Sequence, residues 1–267
     1  MEWKKIESRA NPAVKFASSL ADKKFRDREG VFSAEGFTLF FDFAKMGLFP
    51  RKIYLSEKAD SSRPEIESVL PAAKAELFLL SDSAFEKVTT EKGSQGIVSV
   101  YSVSDVHEIA PLTRTDKLIA LERVQDPGHV GTIIRTASAF GFDGVLLVDT
   151  ADPFGPKTIR ATMGAIAGIP IRSFPSTAQL FSFLKEKGVR SVAACLSDSS
   201  RPIGETDLAA PVCILIGNEG KGLSEEAVRL SDAACIIPME TMESLNAASA
   251  ATVFLWEVKR RGECREG

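Results

Sequence analysis

The chain has 267 residues, 44% hydrophobic and 26% charged, with 33 Lys and Arg against 36 Asp and Glu for a formal net charge of −3. That length and balance support one large or two ordinary domains that fold by core burial alone. No apolar run approaches the roughly 20 residues that a membrane-spanning helix needs, and MEWKKIESRA lacks the apolar core of a signal peptide. Only two histidines, His107 and His129, are present, and Cys195, Cys213, Cys235 and Cys264 show no CxxC pairing. These counts argue against a metal site. Three of the cysteines lie in apolar runs, as small buried hydrophobes do, which predicts a reduced, cytoplasmic protein.

In chain order, residues 1–110 predict a small α/β domain. From Met1 to Gly30, eight basic and five acidic side chains leave a local charge of +3. Such a stretch is either a solvated amphipathic helix or an arm that meets phosphates. Phe37–Met46 is helix-like, with Gly47 as its stop. Arg51–Leu55, Glu76–Leu80 and Gln95–Tyr101 predict strands, and Pro64–Lys74, interrupted near Pro71, and Ser83–Val88 predict helices. Polar residues from Ser102 to Thr115, with Pro111, predict the linker.

Residues 111–267 alternate. Strands are predicted at Lys117–Glu122, Gly144–Val148, Ile169–Phe174, Ser191–Leu196, Val212–Ile216 and Ala234–Ile237. Helices are predicted at 129–140, 157–165, 177–187 and 224–230, and over a final stretch from Ser244 to Arg261. Near-continuously apolar strands between helices predict a parallel sheet covered on both faces. The last helix carries small residues from Ala247 to Thr252 that permit close packing.

Three stretches carry chemistry. In the first, from Asp126-Pro127-Gly128-His129 to Arg135, Asp126 and Pro127 suit a helix start. Val130, Ile133, Ile134 and Ala137 form one helical face. Arg135 falls on the opposite face, as either a solvated side chain or a phosphate clamp beside amides freed by Gly128 and Gly131. The second, Ile216-Gly217-Asn218-Glu219-Gly220-Lys221-Gly222-Leu223, is a glycine-bent turn after a strand. Its spacing is neither GxGxxG nor that of a nucleoside-triphosphate loop. The third runs from Ile237-Pro238-Met239 to Ser244-Leu245-Asn246.

Together these three stretches resemble the signature motifs of the SpoU/TrmH family of RNA ribose 2′-O-methyltransferases, of the SPOUT class. Ser8-Arg9, Asn11-Pro12, Lys15, Gly30-Val31-Phe32, Glu35-Gly36 and Gln95-Gly96-Ile97 resemble the substrate-binding domain joined to many such enzymes, a domain similar to ribosomal-protein folds. The resemblance implies an α/β C-terminal domain with a trefoil knot, S-adenosylmethionine as methyl donor, structured RNA as substrate and a homodimer. The separate N-terminal domain favours ribosomal over transfer RNA.

By carry-over, Arg135, Glu219, Ser244 and Asn246 are catalytic, and Leu196, Ile216, Gly217, Asn218, Gly220, Ile237, Met239 and Leu245 hold the cofactor. Arg9, Lys15, Arg26, Arg28 and Arg135 would meet RNA. The family motif usually carries Asn where this chain has His129, which can donate or accept a hydrogen bond and also titrate near neutrality. Its presence leaves open an RNA-binding protein with a degenerate centre.

Overall fold

The structure, a computed structural model, describes residues 1–71, 75–90, 93–241 and 245–263. The chain divides into two compact units, one of Met1–Ile109 with Phe154–Ala167, the other of Ala110–Pro153 with Gly168–Gly267.

The first unit opens with a strand, β1 (Trp3–Ile6), and not with the predicted helix. Apolar Trp3 and Ile6 flank the exposed Lys4 and Lys5, and the strand pairs in parallel with β4 at the sheet edge, where tertiary pairing overrides local pattern. Two short helices follow, α1 (Pro12–Ser19) and α2 (Lys23–Glu29). Asn11 caps α1 by accepting from the Ala13 amide at 2.8 Å, and left-handed Gly30 ends α2. Then come β2 (Val31–Glu35), α3 (Phe37–Lys45), β3 (Lys52–Ser56), α4 (Arg63–Val69), β4 (Glu76–Leu80), α5 (Asp82–Val88), β5 (Ile97–Ser102) and α6 (Val103–Ile109).

The sheet order is β1-β4-β3-β5-β2, with β5 antiparallel to both of its neighbours. Strict alternation sends Tyr54, Phe78 and Leu80 to one face and Ile53, Leu55, Leu77 and Leu79 to the other. The helix α6 occupies the stretch predicted as linker. Val106, its buried residue, anchors it.

The second unit contains β6 (Lys117–Glu122), α7 (Pro127–Ala139), β7 (Gly144–Val148), β8 (Ile171–Phe174), α9 (Thr177–Glu186), β9 (Arg190–Ala194) and the two-residue β10 (Arg201–Pro202). It continues with β11 (Val212–Ile216), α10 (Glu225–Leu230), β12 (Ala233–Ile236) and α11 (Ala247–Glu263). The intervening α8 (Pro156–Thr162) belongs to the first unit, where it packs on β2, with Phe154 5.3 Å from Phe32. The chain passes from the first unit to the second at Ile109 and Ala110 and rejoins the first for Phe154–Ala167.

All pairings in the second sheet are parallel, in the order β10-β12-β9-β11-β6-β7-β8. Strands β6, β7 and β11 are buried almost throughout, as a sheet covered on both faces requires. The buried residues Val130, Ile133, Ile134 and Ala137 of α7 share one flank with Ala251, Phe254, Leu255 and Val258 of α11. The small residues Ala247, Ala248 and Ala251 are spent on this packing within the unit, which leaves Ser249, Val253 and Trp256 exposed.

The C-terminal ends of neighbouring β6, β11, β9 and β12 meet at one edge, the position that open α/β sheets reserve for ligands. A buried carboxylate secures that edge. Glu122, the last residue of β6, is 1% exposed. It accepts from Thr177 Oγ1 at 2.5 Å, the Ser224 amide at 2.7 Å and Ser224 Oγ at 2.8 Å, thereby tying the starts of α9 and α10 to the strand. Glu122→Ala strands these donors and should cost roughly 2–4 kcal/mol in urea unfolding, because an unpaired buried donor bears its full desolvation cost. The exposed control Glu225→Ala should change stability by less than about 0.5 kcal/mol.

Candidate functional site

The helix α7 begins as its sequence dictates. Asp126 accepts from the His129 amide at 3.0 Å and Pro127 takes the first turn. The buried stripe of α7 turns Arg135 outward, and Arg135 makes no hydrogen bond or ion pair with a described residue.

Beside this helix, the loop after β11 folds on itself. Asn218 and Gly222 exchange two backbone hydrogen bonds of 3.0 and 2.9 Å, and Asn218 Oδ1 accepts from the Gly220 and Lys221 amides at 3.0 Å each. Asn218 Nδ2 donates to the Arg123 carbonyl at 2.9 Å. At Gly217, an added Cβ would stand 2.2 Å from both Gly222 C and Leu223 N, so only glycine lets the loop close.

Glu219 joins the two motifs. Oε1 accepts from the Asp126 amide at 3.1 Å and lies 3.2 Å from His129 Nδ1, and Oε2 accepts from the Gln125 amide at 3.3 Å. Partial burial pushes its carboxyl up. Its own amide, the amides of Asp126 and Gln125 and the His129 ring outweigh this and hold it below the usual carboxylate range.

A cleft of ≈ 380 Å³ opens at this edge, a volume suited to a small-molecule cofactor. Its lining includes all eight residues predicted to hold the cofactor: Leu196, Ile216, Gly217, Asn218, Gly220, Ile237, Met239 and Leu245. Glu219 and the thiols of Cys195 and Cys235 line it as well. Apolar walls and one ionised carboxylate suit a ligand with a flat ring and a positive charge, as S-adenosylmethionine has.

Asn246 stands at the start of α11, where its Oδ1 accepts from the Ser249 amide at 2.8 Å. The cap is therefore Asn246, and the helix starts three residues later than predicted. Ser244 lies outside the described residues. Of the predicted RNA contacts, Arg9, Lys15 and Arg28 are exposed, with Arg9 3.8 Å from Glu86 and Arg28 4.8 Å above the Phe25 ring. Arg26 is a correction. It is 5% exposed and donates to the Leu20 and Ala21 carbonyls at 2.6 and 3.0 Å, closing the end of α1 where no phosphate reaches it.

Sequence reasoning did not single out Gln125, Arg123 or Glu122. Gln125 spans the edge, its Nε2 donating to the Asp149 carbonyl at 2.7 Å. Arg123 takes a left-handed backbone conformation with φ of 58°, which presents its carbonyl to Asn218. The available signal was Glu122, a single acid at the end of the apolar run Leu118–Leu121.

Residues 116–256 match the model of the SpoU rRNA Methylase family, and residues 11–99 match that of the MRM3-like substrate binding domain. The chain is 32% identical to the 23S rRNA (guanosine(2553)-2′-O)-methyltransferase of Bacillus subtilis, over 96% of this chain and 99% of that one. It is 35% identical to the tRNA (guanosine(18)-2′-O)-methyltransferase of Thermus thermophilus, over 58% of this chain and 80% of the relative. An AdoMet-bound rRNA methyltransferase from Sinorhizobium meliloti shares its fold with a TM-score of 0.83 and 34% identity, over 97% of this chain and 98% of that one.

Gly217→Ala should open the loop and abolish calorimetric binding of S-adenosylmethionine, whereas Gly204→Ala, at a position with open space around it, should leave binding intact.

Proposed function

This chain belongs to the SpoU rRNA Methylase family, and we propose that it transfers a methyl group from S-adenosylmethionine to a ribose 2′-hydroxyl of structured RNA. The observation that carries this reading is the Glu219 bridge, which joins a cofactor-sized cleft to the start of α7. S-adenosylmethionine brings a methyl group already activated on a sulfonium, so the protein has to position reactants and manage one proton. Positioning contributes roughly 7–11 kcal/mol to such reactions.

In this reading Leu196, Ile216, Ile237, Met239 and Leu245 flank the purine, while Gly217, Asn218 and Gly220 shape the backbone around the donor. Glu219 offers negative charge on the sulfonium side. Arg135 clamps the phosphate next to the target nucleotide and lowers the pKa of the 2′-hydroxyl by its charge. Ser244 and Asn246 complete the ribose side. Exposed Arg9, Lys15 and Arg28 hold RNA through phosphates, which position a substrate without selecting sequence.

Ribosomal RNA is favoured as substrate. The rRNA-acting relative aligns with 96% of this chain, and so with both units, while the tRNA-acting relative aligns with 58% of it. A trefoil knot is supported by the insertion of β12 between β9 and β10, which are themselves joined by only six residues. Arg261 of α11 also donates to the carbonyls of Ile203 and Thr206, just beyond β10. The exposed Val253 and Trp256 face of α11 supports a homodimer. Among the described residues no helix is long and apolar enough to cross a membrane.

Incubating the protein with labelled donor and either ribosomal or transfer RNA, then digesting to nucleosides, tests the reading. It predicts 2′-O-methylnucleosides from ribosomal RNA, and a base methyl would overturn it. Arg135→Lys should lower turnover at saturating RNA at least tenfold, and full retention would remove Arg135 from the chemistry.

A further inference from the structure

We infer that His129 is the general base of this centre, taking the 2′-hydroxyl proton on Nε2 while Glu219 holds Nδ1. The inference rests on the methyl-transfer reading above and supplies the proton acceptor that reading leaves open.

The groups at the cleft edge narrow the choice. The exposed guanidinium of Arg135 has no acceptor site and keeps its proton throughout the working pH range. Both oxygens of Glu219 are already engaged by the Gln125 and Asp126 amides, by the Asn218 side chain at 3.3 Å and by the His129 ring. Burial pushes the thiols of Cys195 and Cys235 up, away from the thiolate form. Lys221 is exposed and carries an ammonium.

His129 differs from all of these. Its Nδ1 lies 3.2 Å from Glu219 Oε1, which selects the tautomer with the proton on Nδ1 and leaves the Nε2 lone pair free to accept. Its side chain is 28% exposed, so the ring is open to a substrate yet fixed at one nitrogen. The facing titratable groups are Glu219 from the loop and Asp126 from its own cap, whose carboxylate is occupied by the His129 amide. A fixed carboxylate beyond the imidazole also stabilises the imidazolium that forms, the logic by which an acid orients a catalytic histidine.

The step balances. As the 2′-oxygen gains its bond to the methyl carbon, its O–H bond breaks and the proton passes to Nε2. The carbon–sulfur electron pair returns to sulfur, giving neutral S-adenosylhomocysteine, and the imidazolium afterwards loses its proton to water.

Two measurements test the assignment. In single-turnover methylation, His129→Asn keeps a donor towards Glu219 but cannot take a proton. It should slow the reaction by about 10²–10⁴-fold and remove the acid limb of the pH–rate profile. A rate within threefold of wild type, with the same acid limb, overturns the base role. Nitrogen-15 NMR of the histidine-labelled wild-type protein should show the Nδ1-protonated tautomer, which the 3.2 Å contact with Glu219 selects. A dominant Nε2-protonated tautomer overturns it independently of any variant. A wild-type protein that methylates no RNA would instead defeat the methyl-transfer reading, so the two failures are distinct.

Discussion

A single carboxylate makes the catalytic unit of this protein one site. Glu219 leaves a loop that follows β11, yet its oxygens meet the amides of Gln125 and Asp126 and the ring of His129, all from the segment that follows β6. Each of these hydrogen bonds involves the charged form of the acid, and such bonds are about twice as strong as neutral ones. Without this tie the cleft wall and the helix start would be separate surface features. With it, whatever fills the cleft lies within one side chain of an oriented histidine.

The sheet makes that tie possible. Strands β6 and β11 are direct neighbours in parallel register, with Leu121 opposite Ile216, so their C-terminal ends release both motifs at the same height. Glu122 then fixes the next layer by holding the starts of α9 and α10 to the end of β6. Two acids with opposite surroundings divide the work. The buried one is fully enclosed by donors and serves the fold, and the half-exposed one faces the cleft and serves chemistry.

Much of this could be read from the residues. The apolar runs Lys117–Glu122, Gly144–Val148 and Val212–Ile216 are strands with the expected bounds, because a strand buried on both faces has no competing pattern. The helix face of Val130, Ile133, Ile134 and Ala137 is buried, with Arg135 outward, because a 3.6-residue period fixes which side meets the sheet. What could not be read was non-local. Trp3–Ile6 becomes a strand only because β4 offers an edge, and α6 forms where polar residues suggested a linker. Arg26 looked like a phosphate contact in a basic stretch, yet it is buried against the carbonyls that end α1. The Glu219–His129 contact spans 90 positions, and no local pattern reports it.

The most direct test is a crystal structure of the protein with S-adenosylhomocysteine bound. The account predicts the nucleoside between Leu196, Ile216, Ile237 and Leu245, with the sulfur on the Glu219 side and the Glu219–His129 hydrogen bond intact. A ligand seated elsewhere, or a Glu219 side chain swung away from the start of α7, would contradict it.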